Sequence, residues 1–72
     1  MIDITKLNIV SPIKALEDIV SHGIKKGDIL IVKQKGFSGW DNCHYIECKT
    51  PLGYTFEIYN GRNLDNIKKF SL

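Results

Sequence analysis

"CHYIECK", residues Cys43–Lys49, is the stretch whose reading decides the fold. Two cysteines and a histidine lie so close together that a metal or redox site has to be considered. Read as a β-strand, however, the segment separates these groups. Successive strand side chains point to opposite faces, so Cys43, Tyr45 and Glu47 share one face while His44, Ile46 and Cys48 share the other. At about 3.3 Å per residue the cysteines stand about 16 Å apart, whereas a disulfide requires Cα atoms within about 7 Å. His44 and Cys48 share a face, but about 13 Å divides them, too far to grip one ion. Structural zinc sites take four ligands, often in close Cys-x-x-Cys pairs, and the sequence contains no such pair. His44 and Cys43 project in opposite directions, which argues against a thiolate–imidazole pair. His44 therefore reads as a partly buried histidine beside Ile46 and Cys48, and the segment as a chemically inert strand. No metal and no cofactor is expected.

The flanking sequence extends this β reading. "DILIVK" (28–33) is apolar on both faces, as a strand enclosed by a small barrel or a helix would be. "QKGFSGWDN" (34–42) is rich in turn-forming residue types and reads as a long loop. "TPLG" (50–53) reads as a bend set by Pro51 and released at Gly53. "YTFEIY" (54–59) sets Tyr54, Phe56 and Ile58 against Thr55, Glu57 and Tyr59. Asn60-Gly61 is a strong hairpin signal. "NLDN" (63–66) reads as a brief turn, with a last strand around "IKKF" (67–70).

Before these strands, "SPIKALEDIVSHG" (11–23) carries the marks of a helix. Ser11 suits the N-cap, Pro12 the first helical position and Gly23 a left-handed stop. Ile13, Leu16, Ile19 and Val20 fall within an arc of roughly 120°, and His22 lies on the polar side. Residues 1–10 read as a strand or an extended arm. The expected fold is α+β but mainly β. It is a small barrel or strongly bent antiparallel sheet of four to five strands over residues 27–70, with one N-terminal amphipathic helix over 11–23.

Gly27-Asp28 entering a strand, a long first loop, three hairpin-linked strands and a short turn before the last strand together resemble Src-homology-3-like small barrels. The likeness is one of pattern and covers residues 24–70. The acidic-aromatic groove of the proline-peptide binders in that group has no counterpart here, so that binding mode is not carried over. The resemblance implies a binding scaffold, because such barrels commonly hold protein or nucleic acid and rarely do chemistry.

The totals bound the rest. A chain of 72 residues makes one domain, and at 43% hydrophobic and 25% charged it lies in the ordinary globular range. No secretory leader and no apolar run of about 18 residues is present, so the chain reads as cytoplasmic, off the membrane and with reduced thiols. Arg62 is the only arginine, and lysine and isoleucine are plentiful, a composition typical of AT-rich bacterial or phage genomes. The net charge of +2 is small for a nucleic-acid binder.

Enzymatic signatures are missing. No glycine-rich phosphate cradle leads into a helix, and the acidic residues have no metal-binding spacing. A non-enzymatic, regulatory binding protein is the expectation. Phe37, Trp40, Tyr45, Tyr59 and Arg62 are the candidate contacts to a protein partner, a host protein being one candidate. The alternative is a single-stranded nucleic-acid module using Lys33, Lys35, Lys49 and Arg62 on phosphates, with Trp40 stacking on bases. Trp40 has a further reading as a lid over an open barrel end. An exposed strand edge would also permit a homodimer.

Overall fold

The computed structural model describes residues 2–61 and 67–72. Five antiparallel strands form one sheet: β1 (Pro12–Ala15), β2 (Ile29–Ser38), β3 (Cys43–Lys49), β4 (Thr55–Tyr59) and β5 (Phe70–Ser71). Their order is β4-β3-β2-β1-β5, so β2, β3 and β4 form a meander while β5 returns to pair with β1. Among the described residues β4 and β5 each have one strand neighbour. The sheet is therefore open, not closed into a barrel.

β3 has the bounds the sequence predicts, and its alternation sets the core. Ile46 and Cys48 are fully buried, opposite Ile58 and Phe56 on β4, with Val32 of β2 paired to Cys48. Ile13, Ala15, Leu30 and Phe70 continue this layer across β1, β2 and β5. Ile4, Leu7, Ile19, Ile24 and Ile67 belong to the same core but lie outside the strands, so they supply its second layer. Burying side chains of this size contributes about 1.5–3 kcal/mol each.

The amphipathic helix expected over 11–23 does not form. Its first residues are β1, where Ile13 and Ala15 are buried and Pro12 and Lys14 exposed, a two-residue period. Leu16 and Val20, assigned to the helix's apolar stripe, are exposed, Val20 at 87%. Ser11 accepts a hydrogen bond from the Asn8 N–H at 2.9 Å and so shapes a turn instead of capping a helix. The sheet overrides local propensity because Ile13 and Ala15 gain both burial and a ladder, and β-branched Ile13, Ile19 and Val20 are weak helix formers. Only Val20–His22 makes a single 3-10 turn, which Gly23 ends at φ 67°. Residues 1–10, expected as a strand or arm, contain another such turn at Ile4–Lys6. The Asp3 carboxylate caps that turn by accepting from the Thr5 hydroxyl and N–H, which holds its pKa below the usual value.

Three further expectations change. Residues 34–38 are strand, not loop: β2 runs on to Ser38, and the turn shrinks to residues 39–42. The long connection lies instead at residues 16–28, pinned where the Lys26 N–H donates to the Asp18 carboxylate at 2.7 Å. β2 is buried on one face only, since Ile29 is 51% exposed. Among the described residues none after Gly61 pairs with β4, and β5 lies beside β1. The predicted turn at 63–66 falls outside the described residues.

A strained turn leads into β1. The Ser11 N–H donates to the Asn8 carbonyl at 3.0 Å, and between them Val10 adopts φ 68°, a region that disfavours β-branched residues. The Val10 N–H is nevertheless held by the Val32 carbonyl at 2.7 Å. Val10→Gly is expected to raise the unfolding free energy by about 0.5–1 kcal/mol, the relief of left-handed strain less the extra entropy of glycine. Urea unfolding checks this, and an unchanged or lower midpoint would show that the turn stores no strain.

Candidate functional site

The two faces of the β2–β3–β4 meander differ. One packs on the core. The other carries Gln34, Gly36 and Ser38 from β2, Cys43, Tyr45, Glu47 and Lys49 from β3, and Thr55, Glu57 and Tyr59 from β4, as the register requires. A β-bulge at Lys33, between the Val32 and Gln34 pairings, restores this alternation in the outer half of β2.

Tyr45 and Tyr59, predicted to face away from the core, stand opposite each other on this open face with ring centroids 5.3 Å apart. Gly36 pairs with Tyr45, and a Cβ at position 36 would lie 2.6 Å from the tyrosine ring and hydroxyl. The glycine thus gives Tyr45 the space to lie across β2. Gly36→Ala is expected to displace Tyr45, abolish its ring contacts with Tyr59 in NOE spectra, and lower the melting temperature. Retention of all three properties would show that the ring does not depend on that gap.

At the end of the meander the sheet narrows to the β2–β3 hairpin. Ser38 and Cys43 form its last pair. The loop between them is braced by Ser38 Oγ, which accepts from the Asp41 N–H at 3.2 Å and donates to the Asp41 carboxylate at 3.0 Å. Asn42 completes the turn at φ 54°, a conformation asparagine tolerates better than most residues. Trp40 projects from this braced loop with 96% of its surface exposed, so the lid reading is overturned. On the core side of the sheet, beyond the end of the core, Phe37 and His44 pair edge-to-face at 5.1 Å. His44 is exposed there, not partly buried beside Ile46 and Cys48 as the sequence suggested.

The sequence-predicted residues are therefore divided in space. Tyr45 and Tyr59 meet on the open face, Phe37 lies on the opposite side, and Trp40 caps the tip. Arg62 lies outside the described residues. The predicted phosphate contacts are also dispersed. Lys49 is on the open face with its Nζ 3.3 Å from the Gly53 carbonyl, while Lys35 points to the other side and reaches the Thr5 carbonyl at 3.3 Å. Lys33 is exposed at the bulge. The pairing of Glu47 with Glu57 across β3 and β4 escaped the sequence reading; strand register was the missing signal, since it alone reveals cross-strand neighbours.

Cys43 and Cys48 are free thiols on opposite faces, as the alternation predicts. Cys48 is in the core, and burial pushes its thiol from 9.0 up to about 12. Cys43 sits under Gly61, where an added Cβ would approach the Cys43 Cβ to 2.6 Å. Among the described residues no three histidine, cysteine or acidic side chains are placed to hold one ion. None of the described helices is long and apolar enough to cross a bilayer.

The raised thiol pKa fixes a sign. An unfolded chain releases the Cys48 proton near pH 9 while the folded chain retains it, so this contribution is complete below pH 9 and declines as pH climbs toward 12. Cys48→Val is expected to flatten the fall of stability across that window relative to the native sequence, as measured by denaturant unfolding at several pH values. An identical slope in both proteins would show that the thiol is not buried.

No protein family, curated protein or solved structure was found to match the chain.

Proposed function

We propose that this chain is a small, non-enzymatic regulatory protein that docks onto a protein partner through the β2–β3 hairpin and the adjoining open face. The observation that carries the reading is Trp40, 96% exposed on a hydrogen-bonded loop. A tryptophan held in water forgoes its large burial energy in the monomer and recovers it only on contact. The brace at Ser38 and Asp41 lowers the entropy lost when the ring docks, and Phe37 beside His44 adds a second exposed aromatic group.

The Src-homology-3-like reading belongs with this proposal. It is supported by the β2–β3–β4 meander, the return of β5 to β1, and the helical residues Ile67 and Lys68 just before β5. The dispersal of Lys35 and Lys49 to opposite faces favours a protein over a single-stranded nucleic acid, whose phosphates need a continuous cationic track. A cytoplasmic setting with reduced thiols is part of the same proposal.

Trp40→Ala is expected to weaken the partner complex by about 2 kcal/mol or more while leaving the melting temperature unchanged. The check is affinity capture from nuclease-treated extract of the source organism, followed by mass spectrometry, with native and variant chains compared. Equal capture by both would remove the hairpin tip as the contact. Micromolar binding of labelled single-stranded DNA or RNA that falls steeply with salt would transfer the reading to nucleic acid.

A further inference from the structure

Asn60-Gly61 has the sequence of a tight hairpin turn, yet it does not form one. The type I′ turn that this dipeptide favours needs positive φ at both central residues, and neither Asn60 nor Gly61 has it. The glycine has a different reason to be there. A Cβ at position 61 would meet the Cys43 Cβ at 2.6 Å, so only glycine lets the chain leave β4 this close to β3. Strand pairing ends at the same point. The Asn60 N–H donates to the His44 carbonyl at 2.8 Å, but among the described residues the Asn60 carboxamide and the Gly61 N–H have no hydrogen-bond partner. Both residues are exposed.

The consequence is chemical. The side-chain carboxamide carbon of an asparagine is an electrophile, and the next main-chain nitrogen lies within reach of it as a nucleophile. A following glycine has no Cβ to obstruct their approach. From the freedom of both groups we infer that Asn60 is a site of spontaneous deamidation. The Gly61 nitrogen gives its proton to solvent base and attacks the Asn60 Cγ. A new N–C bond forms there as the bond to the amide nitrogen breaks, and that nitrogen leaves with an added proton as ammonia. Water then opens the resulting succinimide at either ring carbonyl, giving aspartate or isoaspartate. Water is the only co-reactant, and nothing is oxidised or reduced. The inference does not depend on the protein-binding reading.

Selectivity and outcome both follow from position. The other asparagines precede Ile9, Cys43, Leu64 and Ile67, whose side chains crowd the attacking nitrogen. Cys43 is in addition paired with Ser38 at the start of β3. The aspartyl product keeps the chain length and lowers the net charge of +2 by one unit. The isoaspartyl product routes the main chain through the side-chain methylene and so lengthens it by one atom. That atom falls between the Asn60 N–H, anchored on His44, and Gly61, packed against Cys43 with no room to spare. Isoaspartate therefore lifts Gly61 from Cys43 and loosens the exit from β4.

The test incubates the full chain in water enriched in heavy oxygen, at neutral and mildly alkaline pH, with the free peptide Ile58–Arg62 as the clock. Peptide mapping is expected to show heavy oxygen entering at Asn60, faster at the higher pH, while the other four asparagines stay intact. Labelling by an isoaspartyl methyltransferase should identify isoaspartate as the main product. Separated by chromatography, the isoaspartyl chain should melt below the Asn60→Asp variant, which should melt close to the native chain. Three results would overturn the inference: a full chain that stays intact while the peptide converts, conversion of Asn8 or Asn42 as fast as Asn60, or an isoaspartyl chain that melts with the Asn60→Asp variant.

Discussion

The pairing of β3 with a neighbour on each side, in a register that drives Ile46 and Cys48 into the core, is the constraint on which the rest depends. A shift of one residue would turn Tyr45 and Glu47 toward the core and expose the apolar set. That cost fixes β2 and β4 against β3, and with them the positions of Gly36, Tyr59 and Glu57. The candidate face is thus a by-product of core formation: whatever β3 turns inward determines what it turns outward.

This link explains why the centre of the fold was legible in the sequence and its flanks were not. Cys43–Lys49 and Thr55–Tyr59 carry a two-residue apolar period bounded by turn residues, and local information suffices there. Ile13 to Val20 satisfies a helical period and a strand period at once, and the choice between them rests on pairing partners distant in sequence. β1 finds them at Ile29–Ile31 and at Phe70–Ser71, and a helix would have left both ladders unmade. The same non-local logic hid the outer half of β2. Gly36 and Gly39 read as loop residues, yet Gly36 is where one tyrosine crosses the neighbouring strand, a reason visible only once Tyr45 is placed beside it.

The candidate surface was legible in part. Tyr45 and Tyr59 were assigned to the outward face by alternation alone, and the structure adds their contact. The fate of Trp40 could not be read, since a tryptophan among glycines can fold inward or stand out with equal local cost. In the structure it stands out, on a loop that the Ser38–Asp41 contacts brace. Basic residues that look clustered in sequence, Lys35 and Lys49, separate because the bulge between Val32 and Gln34 turns Lys35 to the face opposite Lys49.

Size explains why one face remains open. A chain of 72 residues buries only about 60% of the surface its unfolded form exposes, and here the second layer on the core side is made of short turns and single isoleucines. Among the described residues no comparable layer covers the other face, where Gly61 lies over Cys43, so most of that face must be made tolerable in water. Lys14, Gln34, Lys49 and Thr55 serve that end in the ordinary way. Glu47 and Glu57 hydrate it too, with the Glu57 carboxylate accepting from the Tyr59 hydroxyl at 3.0 Å. The two tyrosine rings held against each other beside Gly36 are the exception, because aromatic faces hydrate poorly, and they make an open sheet face a candidate binding surface.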